Sequence, residues 1–396
     1  MKVLQICLKP PLPEIDGGCK AINNITQGLL QNNIEVKVLT LSTFKHPFKK
    51  EAYNHEYISQ TNIESAYINT RVKLIPAFLN LFSSNSYNIE RFYSKEFEEL
   101  IVKTIQQNKF DVILLESLYV SKYLNAIKKN TTAKIIYRAH NIESEIWERN
   151  ASQEQGIKKS YLNILVKRLR LYERNIINQF DGIAAITEKD KNNLKQMGCE
   201  VPIVVIPFGI NIDDYIINND SQKNSIFHIG SMDWKPNQNG IKWFLDNVWG
   251  KVAEKLPSIE FNLAGKDMPG WLINHQQDGV NVIGEVQSAT DFINQNSIMV
   301  IPLFVASGMR IKIVEGMALG KLVIATSIAA EGITYEDKKN IVIANTKEEF
   351  VAAIINYSTN IEDQKRIAKK GRELIESNYD NQLIVNNLAE FFKQLN

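Results

Sequence analysis

Short apolar runs rich in β-branched residues recur along the chain, each followed by a segment whose apolar positions repeat every three to four residues. A strand buried on both faces reads as such an unbroken run, and its covering helix shows one apolar stripe, so the alternation predicts parallel sheets wrapped by helices. In the front half it predicts strands over residues 2–8, 35–41, 111–116, 134–140, 182–187 and 202–207. The first helix would bury Ala21, Ile22, Ile25, Leu29 and Leu30. From 215 to 224 the sequence turns polar and Asn-rich, the composition of an exposed connection. The alternation then restarts, with strands expected over 225–230, 259–265, 280–286, 297–303, 321–327 and 341–345, a helix reaching about residue 256 and another from Gly308. The expected architecture is α/β, two doubly wound Rossmann-like domains divided at 215/216. Ligands of such sheets bind outside the strand carboxyl ends, which places the expected site in an interdomain cleft.

Composition narrows the picture. With 396 residues, 44% apolar and 23% charged, the chain can bury two cores, and disorder is excluded. A net charge of +2 is too small for a protein devoted to a nucleic-acid backbone. Residues 1–215 carry 28 basic and 23 acidic side chains, an excess of five that could attract an anionic acceptor or lipid, or could be solvated surface. The three cysteines have no metal or disulfide spacing, which predicts reduced thiols in the cytoplasm. No signal-peptide pattern precedes Pro10, and no apolar run approaches the length of a membrane span, so any membrane role would be peripheral.

The candidate chemistry is concentrated in a few segments. Gly17 and Gly18 close a Pro-rich loop at a helix start, where backbone N–H groups can approach a ligand, or simply form a turn. His140 ends a strand, with Asn141 and Glu143 behind it. The densest signal runs from Ile301 to Gly320: a strand leads into Ser307, Gly308 and Met309, then Arg310 and Lys312 add two cations, and Glu315 lies in an otherwise apolar helix. Glu315 could accept from a ribose diol or pair with Arg310 or Lys312. Lys235, beside another helix start, is a further phosphate candidate, and helix capping would account for Asn237. There is no Asp-x-Asp, G-x-S-x-G or Walker sequence, so cationic side chains rather than a carboxylate–metal clamp would neutralise a diphosphate.

In order and spacing these segments, with residues 138–143, 206–211 and 230–240, Thr326, Ser327 and residues 330–332, resemble the retaining nucleotide-sugar glycosyltransferases of family 4, which have the two-domain GT-B fold. The resemblance implies that Gly17 and Gly18 contact donor diphosphate and acceptor, that His140 touches the transferred sugar, and that Lys235 and Arg310 assist catalysis. Ser231, Gly284, Val286, Ser307, Gly308, Met309, Lys312 and Glu315 complete the implied substrate-binding set, with Glu315 on the ribose. Two positions depart from the commoner motif: Ser307 stands where the family's first Glu contacts the donor sugar, and Ser231 where an Arg is usual. The resemblance also implies that a terminal helix, about 378–396, crosses back to the first domain, leaving 216–377 as the second.

The implied activity is transfer with retention from a nucleoside-diphosphate sugar to a glycan or lipid-linked acceptor, with no metal or other cofactor, in cell-surface polysaccharide or lipopolysaccharide synthesis. Two alternatives remain: a GT-B nucleotide-sugar epimerase and a non-catalytic sugar-nucleotide-binding subunit. Residues 158–174, with Leu162, Leu165, Leu169 and Tyr172 on one side, could lie on the cytoplasmic face of an inner membrane or pack on their own sheet.

Overall fold

The structure, a computed structural model, describes residues 1–72, 74–218, 223–305 and 308–395. The chain divides into two compact units, Met1–Gly209 with Asn381–Asn396, and Ile210–Asp380.

The first unit carries strands β1 (Lys2–Cys7), β2 (Glu35–Ser42), β3 (Glu64–Tyr67), β4 (Val112–Glu116), β5 (Lys134–Ala139), β6 (Gly182–Ala185) and β7 (Ile203–Val205). They pair in parallel in the order β3-β2-β1-β4-β5-β6-β7. The strand order therefore reverses between β1 and β4, the place where doubly wound sheets open a crevice. Alternation along β1 explains its unbroken apolar run. Val3 and Cys7 pack under the Gly17–Gln31 helix with Ile22, Ile25 and Leu29, whereas Leu4 and Ile6 enter the core on the opposite face. Gln5, also fully buried, is the polar exception and belongs to the site described below.

The terminal helix Asn381–Leu395 completes this unit, its Ile384, Val385, Leu388 and Phe392 joining the same core as the first helix. Gly28 lets it approach, since a Cβ there would strike Val385 and Asn381.

The second unit repeats the plan with β8 (Ile226–Ile229), β9 (Phe261–Ala264), β10 (Val280–Gly284), β11 (Ile298–Ile301), β12 (Leu322–Ala325) and β13 (Val342–Ile343), in the order β10-β9-β8-β11-β12-β13. Every pairing is parallel, and the reversal falls between β8 and β11.

Four details differ from the sequence reading. Strand β3 was not expected, because Glu-Ser-Ala-Tyr buries only Ala66 and shows no apolar run. The domain division falls at 209/210 rather than 215/216: Ile210 bridges to Asp380, and the Tyr215 hydroxyl reaches Glu315, so these residues are held by the second unit. The helical stretch from Lys235 to Lys255 contains a π-helical turn at Leu245–Trp249. The helix after β11 starts at Ile311, with Arg310 as its N-cap, not at Gly308. Gly308 instead takes a left-handed φ of 73° in the loop before it.

Candidate active site

In the first unit the reversal point gathers a buried charged cluster. Glu116 ends β4 and is 1% exposed; its carboxylate accepts from Gln5 Nε2 at 2.8 Å, from Arg138 Nη1 at 3.1 Å and from His140 Nε2 at 2.8 Å. Thr26 of the first helix donates to Gln5 Oε1 at 2.7 Å, fixing the amide orientation. Burial pushes the Glu116 carboxyl up, but Arg138, His140 and Gln5 outweigh it and bring the pKa to about 2. Glu116 is therefore an acceptor only, so His140 donates through Nε2–H. Its burial, with Arg138 nearby, lowers the ring's pKa despite the carboxylate. A neutral His140 then has an unprotonated Nδ1, and with 18% of its side chain exposed the ring can accept a hydrogen bond from a ligand hydroxyl.

The Gly17–Gly18 helix start, read as either a ligand-approaching backbone or a plain turn, carries a side-chain cap. Asp16 caps it, accepting from Cys19 N at 2.9 Å, while Lys9 Nζ pairs with both carboxylate oxygens at 2.7 Å and His46 Nε2 reaches Oδ2 at 2.9 Å. Burial opposes ionisation of Asp16, but His46 and Lys9 hold its pKa far below the usual carboxylate range. A Cβ at Gly18 would meet the Lys9 ammonium, the movable end of a flexible side chain. Asp16, Cys19 and His46 place possible metal-ligand atoms within 4.8 Å of one another. Lys9 already neutralises that carboxylate, and burial raises the Cys19 thiol to about 11, which disfavours the thiolate a metal needs.

Behind His140, Glu143 receives a hydrogen bond from the Tyr119 hydroxyl at 2.8 Å, and burial together with Glu173 raises its pKa to about 7.

In the second unit the reversal point holds Lys312. His228, fully buried on β8, donates Nδ1–H to Val300 O of β11 at 2.8 Å, tying together the two strands that diverge there. Its Nε2 must then accept, and Lys312 Nζ lies 3.4 Å away. Asn237 Oδ1 accepts a second Lys312 proton at 3.1 Å, while Asn237 Nδ2 donates to Ser231 O at 2.7 Å. Asn237 is therefore a bracket for Lys312 and not the helix cap expected; Trp234 holds the cap position. Two of its three ammonium protons are engaged, and among the described residues the third is left for a ligand. Burial and then Arg310 lower the Lys312 pKa to about 7.

Around this lysine the carboxyl ends of three adjacent strands carry no side-chain bulk. Gly230 follows β8 against the Lys312 ammonium. Gly265 follows β9 at φ 150°, where a Cβ would run into the Gly230 backbone. Gly284 ends β10 at φ 82°, its carbonyl accepting from Gly265 N at 2.7 Å, and Val286 is half-buried just beyond.

The Arg310 guanidinium binds Gly308 O through Nε and Nη2 and lies 5.3 Å from the Trp234 ring centre, bracing the loop with half-buried Met309. Ser307 lies outside the described residues. Thr326 Oγ1 donates to Leu303 O and fixes the exit of β11. Glu315 accepts from the Tyr215 hydroxyl at 2.9 Å, which orients the carboxylate. Lys235 is exposed, touching Gln238, and the Ser231 hydroxyl is engaged by Asp233 at 2.6 Å.

Sequence reasoning brought out His140, Arg310, Lys312 and Glu315 but missed the partners that set their chemistry: Glu116, Gln5, His228 and Tyr215. Glu116 had a signal, a carboxylate closing an otherwise apolar buried strand. His228 had a weaker one, a histidine inside another.

The stripe of Leu165 and Leu169 expected either on a membrane or on the sheet packs inward, and Tyr172 reaches Ser121. A second stripe of the Gly156–Ile176 helix, Ile157, Ile164 and Leu171, is exposed beside Lys158, Lys159 and Lys167. Arg168 of that helix holds Asn80 and Leu81, next to exposed Ile75, Leu79 and Phe82. Among the described residues no helix is long and apolar enough to cross a membrane.

Two parallel Rossmann-like sheets in one chain, each with polar residues gathered at its reversal point, define a GT-B fold. The profile of glycosyltransferase family 4 matches residues 15–214, and that of the group 1 glycosyl transferases matches residues 223–360. The chain belongs to glycosyltransferase family 4. Solved structures share the fold: sucrose-phosphate synthase of Thermosynechococcus elongatus at TM-score 0.73 and 12% identity, covering 100% of this chain and 99% of that one. Anabaena Alr3699/HepE, solved in complex with UDP, superposes at TM-score 0.70 and 15% identity over 100% of both chains. In sequence, an uncharacterised 44.6 kDa protein in the cps region of Klebsiella pneumoniae is 27% identical over 294 residues, covering 71% of this chain and 74% of its own length.

Proposed function

We propose that this glycosyltransferase moves a sugar from a nucleoside-diphosphate donor to a glycan or lipid-linked acceptor with retention and without a divalent metal, in the assembly of a cell-surface polysaccharide. The observation that carries the reading is Lys312, held by His228 and Asn237 beside the Gly230 backbone with one ammonium proton unengaged among the described residues. A diphosphate is the ligand this arrangement suits, since close backbone approach and a fixed cation favour anionic oxygens. The UDP complex of the Anabaena neighbour and the cps-region setting of the Klebsiella relative support the donor class and the polysaccharide role.

Departure of the diphosphate concentrates negative charge on its oxygens, and preorganised donors speed that step. Lys312, Arg310 and exposed Lys235 supply the charge, while Glu315, oriented by Tyr215, accepts from the ribose hydroxyls. His140 receives a sugar hydroxyl at Nδ1, its ring fixed by Glu116. The motif offers no carboxylate nucleophile, so the acceptor attacks on the face the diphosphate leaves, with a departing phosphate oxygen taking the acceptor proton. Exposed Ile157, Ile164, Leu171, Ile75, Leu79 and Phe82 beside lysines form the surface for a lipid-linked acceptor or the cytoplasmic membrane face.

The test is release of nucleoside diphosphate from nucleotide sugars, with and without cell glycolipid extract, in buffer and in EDTA. Acceptor-stimulated release that EDTA leaves intact is expected. Acceptor-independent isomerisation of the sugar would point to an epimerase, binding without release to a silent subunit, and loss in EDTA would defeat the metal-free reading.

A further inference from the structure

The second sheet has a second concavity at its opposite end. Residues Lys223 and Asn224 precede β8, Ser297 precedes β11, and Gly320 and Leu322 flank the start of β12; together they line a cavity of about 660 Å³ at the amino ends of the strands. Lys312 lies beyond their carboxyl ends, so this cavity is separate from the proposed donor site.

One wall is a single stripe of the Ile361–Asn378 helix: Ile361, Gln364, Lys365, Ala368, Lys369 and Arg372, at helical spacings of three and four. Among the described residues the lining holds four cations, Lys223, Lys365, Lys369 and Arg372, and no acid. Among the described residues none of the three lysines is within ion-pair distance of a carboxylate, whereas neighbouring Arg366 and Lys370 are paired with Asp363 and Glu373. Arg372 is fixed by Glu376 and by the Tyr215 and Ala318 carbonyls.

An independent observation lies in the floor. Gln364 is only 5% exposed, and its Nε2 has no acceptor. A buried amide donor without a partner is costly and needs an explanation. The terminal torsion of glutamine is soft, so a modest rotation presents that donor to the cavity its side chain lines.

We propose that this cavity is a binding site for a phosphate-bearing ligand, the free phosphate of a small molecule or the phosphate of a lipid headgroup, held by Lys223, Lys365 and Lys369 over the Gln364 amide. Its volume is that of a small-molecule site, and Ile217, Leu322, Ile361 and Ala368 give the ligand's uncharged part an apolar wall.

The test titrates pyrophosphate calorimetrically into the full chain carrying Lys312→Met, which silences the other candidate phosphate site, with and without Lys365→Gln plus Lys369→Gln. Both lysines are exposed, so the double substitution is expected to leave the melting curve unchanged. Saturable binding that weakens at least tenfold in the double variant supports the proposal and assigns a free phosphate compound. With Lys312 intact, the chain should then bind at two sites and the same chain carrying Lys365→Gln plus Lys369→Gln at one. Phosphatidylglycerol and phosphatidylcholine vesicles provide the second arm: sedimentation with the first only, abolished by the double substitution, assigns a lipid headgroup. Binding of neither probe, or binding indifferent to the double substitution, overturns it. Because the readout is binding and not transfer, failure here leaves the glycosyltransferase reading standing, and the converse holds.

Discussion

Lys312 makes donor affinity depend on pH in a calculable way. In the free protein burial and Arg310 lower its pKa to about 7. The groups facing it are His228 on β8, Asn237 on the Lys235–Phe244 helix, and Arg310 and Glu315 on its own segment. A bound diphosphate brings negative charge to the ammonium and returns the pKa toward the ordinary lysine range, so binding takes up a proton above pH 7. The sign follows: affinity is full below the free pKa and falls as pH rises through it. With a pKa of about 7 the protonated fraction drops from roughly 0.76 at pH 6.5 to roughly 0.03 at pH 8.5, so the dissociation constant should rise about 25-fold, near 1.9 kcal/mol. The assay is calorimetric titration with a nucleotide sugar, whose esterified diphosphate does not titrate in this window. Repeating it in buffers of different ionisation enthalpy counts the protons taken up. Lys312→Met should bind more weakly at pH 6.5 and lose the dependence. A flat profile in the unsubstituted protein, or a slope that survives in Lys312→Met, would refute the reasoning.

Other consequences are simpler to measure. His140→Ala should cut transfer strongly and leave nucleotide affinity nearly unchanged; unaltered transfer would remove it from the site. Glu116→Gln leaves Arg138 buried beside a neutral amide and should destabilise the protein by about 3–5 kcal/mol in urea unfolding, far more than an exposed pair such as Lys339–Glu336 is worth. Glu315→Gln should weaken nucleotide binding, with a smaller loss for Tyr215→Phe; equal affinity in both would leave Glu315 structural.

The doubly wound architecture was legible because each central strand is buried on both faces, so hydropathy alone marks Val112 to Leu115 or Ile298 to Ile301. Strand β3 escaped for the converse reason, being a four-residue edge strand with one buried side chain. Motif order located Lys312 and Glu315 on one helix, but the helix start was misplaced by three residues because Gly308 and the Arg310 cap break the pattern Ser307 seemed to begin. The pairing of Glu116 with Arg138 and His140, and of Lys312 with His228, joins residues 22 to 84 positions apart, and only the parallel register brings them together. At Gly17 and Gly18 local sequence left a ligand-approaching backbone and a plain turn both open, and it did not show that Asp16, from the same loop, caps the helix start.

The central claim is that the nucleotide's phosphates lie at the reversal point of the second sheet. A crystal structure of the protein with UDP tests it most directly. The account predicts a β-phosphate oxygen within hydrogen-bond distance of Lys312 Nζ, the diphosphate beside the Gly230 backbone and the ribose against Glu315. A UDP bound with its phosphates away from Lys312 would contradict it.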